Sequence, residues 1–268
     1  MNHMDIRSMA QERRQLAGRL QFHDANLWLG QPKGFPLATE LPVAQLAGTL
    51  ARYQLCGGLV SHWRAAAVSA QDGNAALAEI EPQLPPHCYT VMAGLPLYPE
   101  DSGLLPGRSA LPASVRGVRI FPVTHRFDLA PYCVGSLCDW LAARHLPLFI
   151  WHTELDWRAL WELARAFPAL PIVVETQTQK ILYHTRRLFP LMRDCPNVRI
   201  EISNFVGAGF LEFAVREFGA ERLLFGSFLP VNDPLVPMGL VLDADLSDQD
   251  KATIAGGALR RLVAEVRV

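Results

Sequence analysis

The side chains best suited to bind a metal ion or to exchange protons stand at the ends of short apolar runs. His152 ends the run PLFIWH, Glu175 ends PIVVE, and Asp24 lies in QFHDAN. Imidazole and carboxylate groups bind divalent cations such as Zn²⁺, and they also exchange protons with substrates. Because catalytic groups of α/β barrels come from the ends of several strands, we expect these side chains to meet, with His152 and Glu175 as catalytic residues.

Three interpretations of His152 stay open at this point. His152, Glu175 and Asp24 could hold a metal ion, or His152 and Glu175 could form a metal-free acid–base pair in which the carboxylate fixes the imidazole tautomer. The imidazole could also be satisfied by a neighbouring backbone group. The last interpretation is slightly favoured, because polar groups at strand ends more often make structural hydrogen bonds.

Eight apolar runs alternate with segments of helical period, which predicts an α/β protein folded as a (β/α)8 TIM barrel. Most runs are continuous rather than alternating, as in parallel strands covered on both faces. The chain has 268 residues, close to the roughly 250 that are typical of such barrels. An open doubly wound sheet is the alternative, but no Gly-rich phosphate loop follows the first run. The predicted strands are Leu20–Asn26, Gly58–His62, Cys88–Ala93, Gly117–Phe121, Pro147–His152, Pro171–Glu175, Val198–Ser203 and Arg222–Ser227.

Three segments lie outside this alternation. A helix over Asp5–Ala17 is expected to form an N-terminal extension (residues 1–19) that caps the bottom or packs on the outside of the barrel (residues 20–268). Pro96–Ser114 and Leu229–Leu246 are rich in Pro, Gly and Asp and show little periodicity. They follow strands three and eight, so they are predicted as loops over the carboxyl-end mouth, either as plain surface or as covers for a substrate.

Composition excludes several classes of function. Hydrophobic residues make up 50% of the chain, and the formal net charge is -1, so nothing draws the protein to nucleic acid or to an anionic membrane. No apolar run approaches the ~20 residues of a transmembrane helix. The N-terminus lacks an apolar signal region, and the five cysteines are scattered, which together indicate a cytoplasmic protein.

Several stretches, in order along the chain, resemble the amidohydrolase-related proteins, which include metal-dependent hydrolases and decarboxylases of carboxylated substrates. FHDANLWLG is similar to the family's first strand, VRGVRIFP to its fourth, PLFIWH to its fifth and ERLLFGSFLP to its eighth. SAQDGNAALAEIEPQ and LSDQDKATIAGGALRRL resemble its second and closing helices. The resemblance runs from about Gln21 to the end, and it implies a barrel with a metal-activated water at its mouth.

The sequence departs from the family pattern where the metal ligands should stand. Asn26 and Trp28 occupy the paired-histidine positions, Thr176 stands at or near the sixth-strand histidine, and Phe228 replaces the catalytic aspartate. An indole can only donate a hydrogen bond, and His152 is the one strong ligand position that survives. We therefore expect no cofactor, and a divalent metal such as Zn²⁺ only if the site has been rebuilt.

Two functions from different classes follow. The first is a hydrolase or decarboxylase of a small carboxylated or cyclic ester or amide substrate, with His152 and Glu175 as its retained chemistry. The second is a catalytically inactive barrel that binds a ligand or a partner protein. The expected partner is a small molecule, and the resemblance also allows a homodimer, since barrels of this family often pair. The residues expected to line the pocket are Asp24, Asn26, Trp28, Arg119, His125, Ser203, Ser227 and Phe228.

Overall fold

Eight parallel strands form a barrel in a computed structural model of the chain, which describes residues 6–96, 111–177 and 181–267. Each strand pairs with the next in sequence order, so the predicted (β/α)8 TIM barrel is confirmed. The strands are β1 (His23–Leu29), β2 (Gly57–His62), β3 (Cys88–Ala93), β4 (Val115–Ile120), β5 (Leu148–Trp151), β6 (Ile172–Glu175), β7 (Val198–Glu201) and β8 (Leu223–Leu224).

Backbone hydrogen bonds close the barrel between its last and first strands. Ala25 N–H donates to the Phe225 carbonyl at 2.9 Å, and Trp28 N–H donates to the Leu229 carbonyl at 2.9 Å. The register of β1 against β2 shifts between Asp24 and Leu27, which marks an irregularity beside the mouth. Such bulges re-aim side chains near functional sites.

Helices cover the outside of the barrel. Their apolar faces and the outward-facing strand residues form the largest hydrophobic cluster of the described chain. Side-chain oxygens cap the amino ends of several helices; for example, Asp156 accepts from the Ala159 N–H, and Ser247 accepts from the Asp250 N–H. The helices are α1 (Ile6–Leu20), α2 (Val43–Tyr53), α3 (Arg64–Ala67), α4 (Ala70–Ile80), α5 (Pro131–Ala143), α6 (Trp157–Ala166), α7 (Thr185–Asp194), α8 (Phe210–Phe218), α9 (Leu235–Asp243), α10 (Asp248–Ala252) and α11 (Ala258–Ala264).

The two ends of the chain differ from the sequence-based expectation. Helix α1 continues through Leu20, so β1 begins at His23, three residues later than predicted. Helix α9 lies inside Leu229–Leu246, and the prediction of an irregular loop there is wrong. Its sequence LVPMGLVLD is apolar on all sides, which hides the helical period, and its proline lies in the first turn, where proline is tolerated.

Helix α9 packs beside α1, where Asp243 accepts a hydrogen bond and ion pair from Arg13. The N-terminal helix is therefore docked on the outside of the barrel. Only Val231, early in the same segment, reaches the aromatic side chains at the mouth. Residues 97–110 of the other predicted mouth loop, Pro96–Ser114, lie outside the described residues. No helix in the described part of the chain combines the length and apolar character needed to cross a membrane.

Inward-pointing side chains fill the barrel in three layers. An apolar layer lies towards the amino ends of the strands and is closed by α11; it includes Leu59, Phe149 and Leu259. A polar layer follows, and an aromatic layer lies at the carboxyl ends. Because successive side chains of a strand alternate in direction, residues two apart on one strand point to the same side of the sheet. Arg119 on β4 belongs to the polar layer.

Candidate functional site

The centre of the polar layer is an ion pair between Arg119 on β4 and Glu175 at the end of β6. Arg119 Nε donates to Glu175 Oε2 at 2.8 Å, and Nη2 donates to Oε1 at 2.5 Å. The Arg119 side chain is 1% exposed and that of Glu175 is 0% exposed. Arg119 Nη1 also donates to the Ser61 hydroxyl on β2. This two-pronged geometry makes a strong pair, and it places a permanent positive charge inside the barrel.

Trp28 covers this guanidinium from the mouth side. Its ring centroid lies 4.5 Å from Arg119 Cζ, within range for a cation–π interaction. Its indole N–H donates to Asn26 Oδ1 at 2.6 Å. Asn26 and Trp28 therefore lie on the same side of β1, as the alternation of the strand predicts. The oxygen of Asn26 that could have faced a cation is used by this hydrogen bond.

Asn26 also connects β1 to the strands on the far side of the barrel. Its amide Nδ2 donates to Gln177 Oε1 at 3.2 Å and to Glu201 Oε2 at 3.4 Å. The Glu201 carboxylate further accepts from the Ser203 N–H at 2.6 Å, the Ser203 hydroxyl at 3.0 Å and the Thr176 N–H at 3.2 Å. Gly226 gives it room, because a Cβ there would lie 2.2 Å from Glu201 Oε1. Glu201 is thus held by four donors in a structural role.

Three buried carboxylic acids of this layer have raised pKa values. Burial raises the pKa of Glu201 to about 8, and the negative charge of Glu175 adds to this rise, against the donors on the carboxylate. Burial raises the pKa of Asp24 to about 6. Glu175 also has a pKa above its usual value because of burial, although Arg119 opposes the rise. Glu201 and Asp24 are therefore protonated in the folded protein at pH values where they ionise in the unfolded chain.

This difference predicts that stability falls as the pH rises. A raised pKa in the folded state stabilises the protein fully below the unfolded pKa, and that stabilisation is lost as the pH rises through the folded pKa. For Glu201 we expect the free energy of unfolding to fall by about 3 kcal/mol between about pH 5 and pH 8, at up to about 1.4 kcal/mol per pH unit. Urea unfolding curves at intervals of half a pH unit measure the slope.

The matched control is Glu201→Gln, which keeps the size of the side chain but cannot ionise. Its stability should fall much less steeply than that of the natural protein between about pH 6 and pH 8, because Glu201 no longer ionises there. An equal slope in the Glu201→Gln variant and the natural protein over that interval would contradict the assignment.

Asp24 anchors the closure of the barrel. Its Oδ1 accepts from the Asn26 N–H at 2.8 Å and from the Ser227 N–H at 2.9 Å, so it ties β1 to the end of β8. The Ser227 hydroxyl in turn accepts from the Leu229 N–H at 3.1 Å. The other oxygen, Oδ2, is buried without a hydrogen-bond partner among the described residues. Asp24 and Ser227 thus support the strand ends.

His152 is buried at the end of β5, in the short 3-10 turn His152–Glu154. Its Nδ1 lies 3.2 Å from the backbone carbonyl of Glu175, which can only accept, so Nδ1 carries the hydrogen. The carboxylate of Glu175 points instead to Arg119, so the expected pair of His152 with a Glu175 carboxylate does not form. The backbone interaction matches the third interpretation of His152 drawn from the sequence.

The free nitrogen of His152 retains a lone pair. Nε2 is buried and has no hydrogen-bond partner among the described residues. Burial lowers the pKa of His152 to about 4, and the nearby His184 adds to the decrease. The imidazole is therefore neutral near pH 7, with a proton acceptor at Nε2.

Aromatic rings fill the mouth of the barrel. Trp28 packs against Trp63 with ring centroids 4.8 Å apart and against Trp151 at 5.4 Å, and Phe228 packs edge-on to Trp151 at 6.0 Å. Phe228 is fully buried with φ 60°, a left-handed conformation that is costly for a bulky residue. The members of this aromatic cluster are Trp28, Trp63, Phe121, Trp151 and Phe228, with Phe35 packed against them.

Of the remaining residues predicted for the pocket, His125 lies beside this cluster and Ser203 lies in the polar layer. His125 packs edge-on against Phe121 at 5.3 Å, and its Nε2 lies 3.0 Å from the Ala65 carbonyl. Ser203 is buried with Glu201, as described above, and the Thr176 hydroxyl accepts from the Asn204 N–H at 2.8 Å. Gln177, Glu201, Ser61 and Trp63 also belong to the polar and aromatic layers but are not among the predicted pocket residues. The alternation of side chains along β6 and β7 could have indicated that Gln177 and Glu201 point into the barrel, whereas the sequence carries no signal for Ser61 or Trp63.

The donor set does not fit a divalent metal ion. In the described ranges, no three His, Cys, Asp or Glu side chains are grouped so as to hold an ion. Glu175 is paired with Arg119, the oxygen of Asn26 is used by Trp28, and an indole and a phenyl ring occupy the mouth. A guanidinium in the polar layer would also repel a second cation at short range. A rebuilt site of His152, Glu175 and Asp24 is therefore not formed.

The fold is a parallel (β/α)8 barrel with its polar and aromatic side chains gathered at the carboxyl ends of the strands. The Amidohydrolase family model matches residues 24–263, so the chain belongs to this family. A search of curated proteins found no match.

Several solved structures share the fold at low sequence identity. Amidohydrolase 2 from Bifidobacterium longum subsp. infantis is 18% identical, with a TM-score of 0.62 over 91% of this chain and 98% of that one. 2,6-Dihydroxybenzoate decarboxylase from Rhizobium is 13% identical, with a TM-score of 0.68 over 91% and 98%. A zinc-bound amidohydrolase from Burkholderia multivorans is 17% identical, with a TM-score of 0.62 over 91% and 99%.

Proposed function

We propose that this chain is a metal-independent member of the family that acts as a ligand- or partner-binding barrel, without metal-dependent hydrolysis or decarboxylation. The observation that carries the proposal is the buried ion pair of Arg119 and Glu175, with the Trp28 ring stacked on the Arg119 guanidinium. The guanidinium supplies the positive charge in the barrel centre, and each of its three nitrogens donates to a protein oxygen.

Metal-dependent hydrolysis needs an ion with an open position for water. Here the candidate oxygen ligands are already used, and the aromatic cluster occupies the space above them. Among the described residues, Asp24 has a buried carboxyl oxygen without a hydrogen-bond partner, and its pKa is raised to about 6, which weakens it as a ligand because metals bind the deprotonated form.

The first experiment combines elemental analysis with an activity assay of the purified protein. We expect less than about 0.1 equivalent of Zn, Mn or Fe per chain, no change in melting temperature with a chelator, and no turnover of lactones or aromatic carboxylic acids. Stoichiometric metal, together with activity that a chelator removes and added metal restores, would overturn the proposal.

A second candidate function rests on the free Nε2 of His152. A neutral imidazole with a fixed tautomer is suited to accept a proton, so His152 could act as a general base in a metal-free reaction on a small carboxylated or cyclic ester or amide substrate. Under this candidate, turnover would survive chelation, and it would fall by about 10²–10⁴-fold in His152→Ala.

The control for this second candidate is His184→Ala, which changes the neighbouring ring 5.6 Å away and leaves His152 in place. Activity that persists at the natural rate in His152→Ala would remove His152 from the mechanism. A loss of equal size in His184→Ala would indicate a disturbed fold rather than lost chemistry.

A further inference from the structure

A separate cavity lies at the opposite end of the barrel, at the amino ends of β1 to β4. Its volume is about 300 Å³, at the lower end of the range for small-molecule sites. One wall comes from the strand ends, with His23 and Tyr89, and the other from α11 and the tail after it, with Leu259, Val263 and Val266. It shares no residue with the aromatic cluster at the mouth.

Two arginines give this cavity a positive charge. Arg116 and Arg260 both line it, whereas none of its lining residues is acidic. Neither arginine makes an ion pair within the described ranges: Arg116 donates to the Ala113 and Val115 carbonyls, and Arg260 lies 3.3 Å from the Gln21 carbonyl. A guanidinium has five N–H donors, so both keep donors for an anion.

The rest of the lining is apolar and aromatic. Leu59, Leu259, Val263 and Val266 line the cavity together with Tyr89, and the Arg116 guanidinium stacks 5.1 Å from the centre of the Tyr89 ring. Arg260 approaches from the facing wall, where it contacts His23 Nδ1 at 3.0 Å. A ligand that bridges these features needs a planar anionic group for the arginines and a compact hydrophobic body for the aliphatic wall.

We propose that this amino-end cavity is a binding site for a small organic monocarboxylate with a compact apolar body, such as a six-membered ring. The carboxylate is held by Arg116 and Arg260, and the ring packs between Tyr89 and Val263. An inorganic anion would leave the apolar wall uncovered, and a neutral compound would leave the arginines unpaired. The site does not depend on the loss of hydrolysis at the mouth, and it would stand if His152 were catalytic.

Titration calorimetry of the full chain with benzoate tests the site. We expect a dissociation constant of about 1 mM or tighter, which is reasonable for a ligand of this size. Benzyl alcohol, which has the same ring without the charge, and inorganic phosphate, which has the charge without the ring, should each bind at least about tenfold more weakly.

Substitutions in the cavity lining test whether benzoate binds there. Arg260→Gln removes one charge from an exposed side chain and should weaken benzoate binding by about tenfold or more, whereas the neighbouring Arg261→Gln, outside the cavity, should leave it unchanged. Val263→Trp should block binding by filling the space. Absence of benzoate binding, equal affinity for benzyl alcohol, or an unchanged affinity in Arg260→Gln would each overturn the proposal.

Discussion

Replacing Arg119 by methionine is expected to lower the free energy of unfolding by about 3–5 kcal/mol, because it leaves Glu175 buried without its partner. Arg119 is 1% exposed and contacts Glu175, Ser61 and Trp28 together, so the substitution removes an ion pair, a hydrogen bond and a stacking interaction. Urea unfolding near pH 7 measures the loss. A deficit of this size is a large share of the roughly 5–15 kcal/mol that stabilises a typical folded protein.

The double variant Arg119→Met/Glu175→Leu separates the buried charge from the packing. Replacing both members of a buried ion pair by apolar residues is often neutral or stabilising, so most of the lost stability should return. The exposed pair Arg158–Glu162 gives a comparison, since Arg158→Ala should cost less than about 1 kcal/mol. If Arg119→Met were as mild as Arg158→Ala, the central role of the buried pair would be refuted.

Truncation of Trp28 is expected to cause the second large loss in the free energy of unfolding. Trp28→Ala is expected to cost about 3–5 kcal/mol, because it removes a fully buried ring from the aromatic cluster and leaves a cavity above Arg119. Denaturant unfolding measures the cost. Added indole should restore part of the stability by filling the cavity, as apolar ligands do in engineered cavities.

Trp28→Phe serves as the matched variant for this test. It retains most of the aromatic contact but loses the indole N–H, which leaves Asn26 Oδ1 without its donor at 2.6 Å. The expected cost is about 1–3 kcal/mol, smaller than that of Trp28→Ala. Equal costs for the two variants would mean that ring volume contributes little and that the hydrogen bond dominates.

The order of strands and helices is predictable from this sequence because buried parallel strands are continuous apolar runs. The position of β1 is not, since Leu20 continues an apolar pattern that serves both α1 and the strand. Helix α9 is also hidden, because an apolar helix without a polar face has no period of its own to detect. Local patterns therefore give the architecture but not each boundary.

The site is only partly predictable, for a geometric reason. Alternation along β1 correctly joins Asn26 to Trp28, because both lie on one strand. The pairing of Arg119 with Glu175 crosses the barrel from β4 to β6, and it depends on side-chain reach and barrel width, which no local pattern records. The same limit explains why the hydrogen-bond partner of His152 is the carbonyl of Glu175 rather than its carboxylate.

The contacts of Arg119 also constrain how such a barrel can change over generations. Any lineage that regained a cation would have to remove the guanidinium, free Glu175 and clear Trp28 and Phe228, and each step alone exposes an uncompensated group or an empty space. Breaking a buried ion pair one member at a time is strongly destabilising, so the single-step intermediates would be less stable than the present protein. The central arginine therefore makes a return to metal binding improbable by single substitutions, because each of them would lower the stability of the fold.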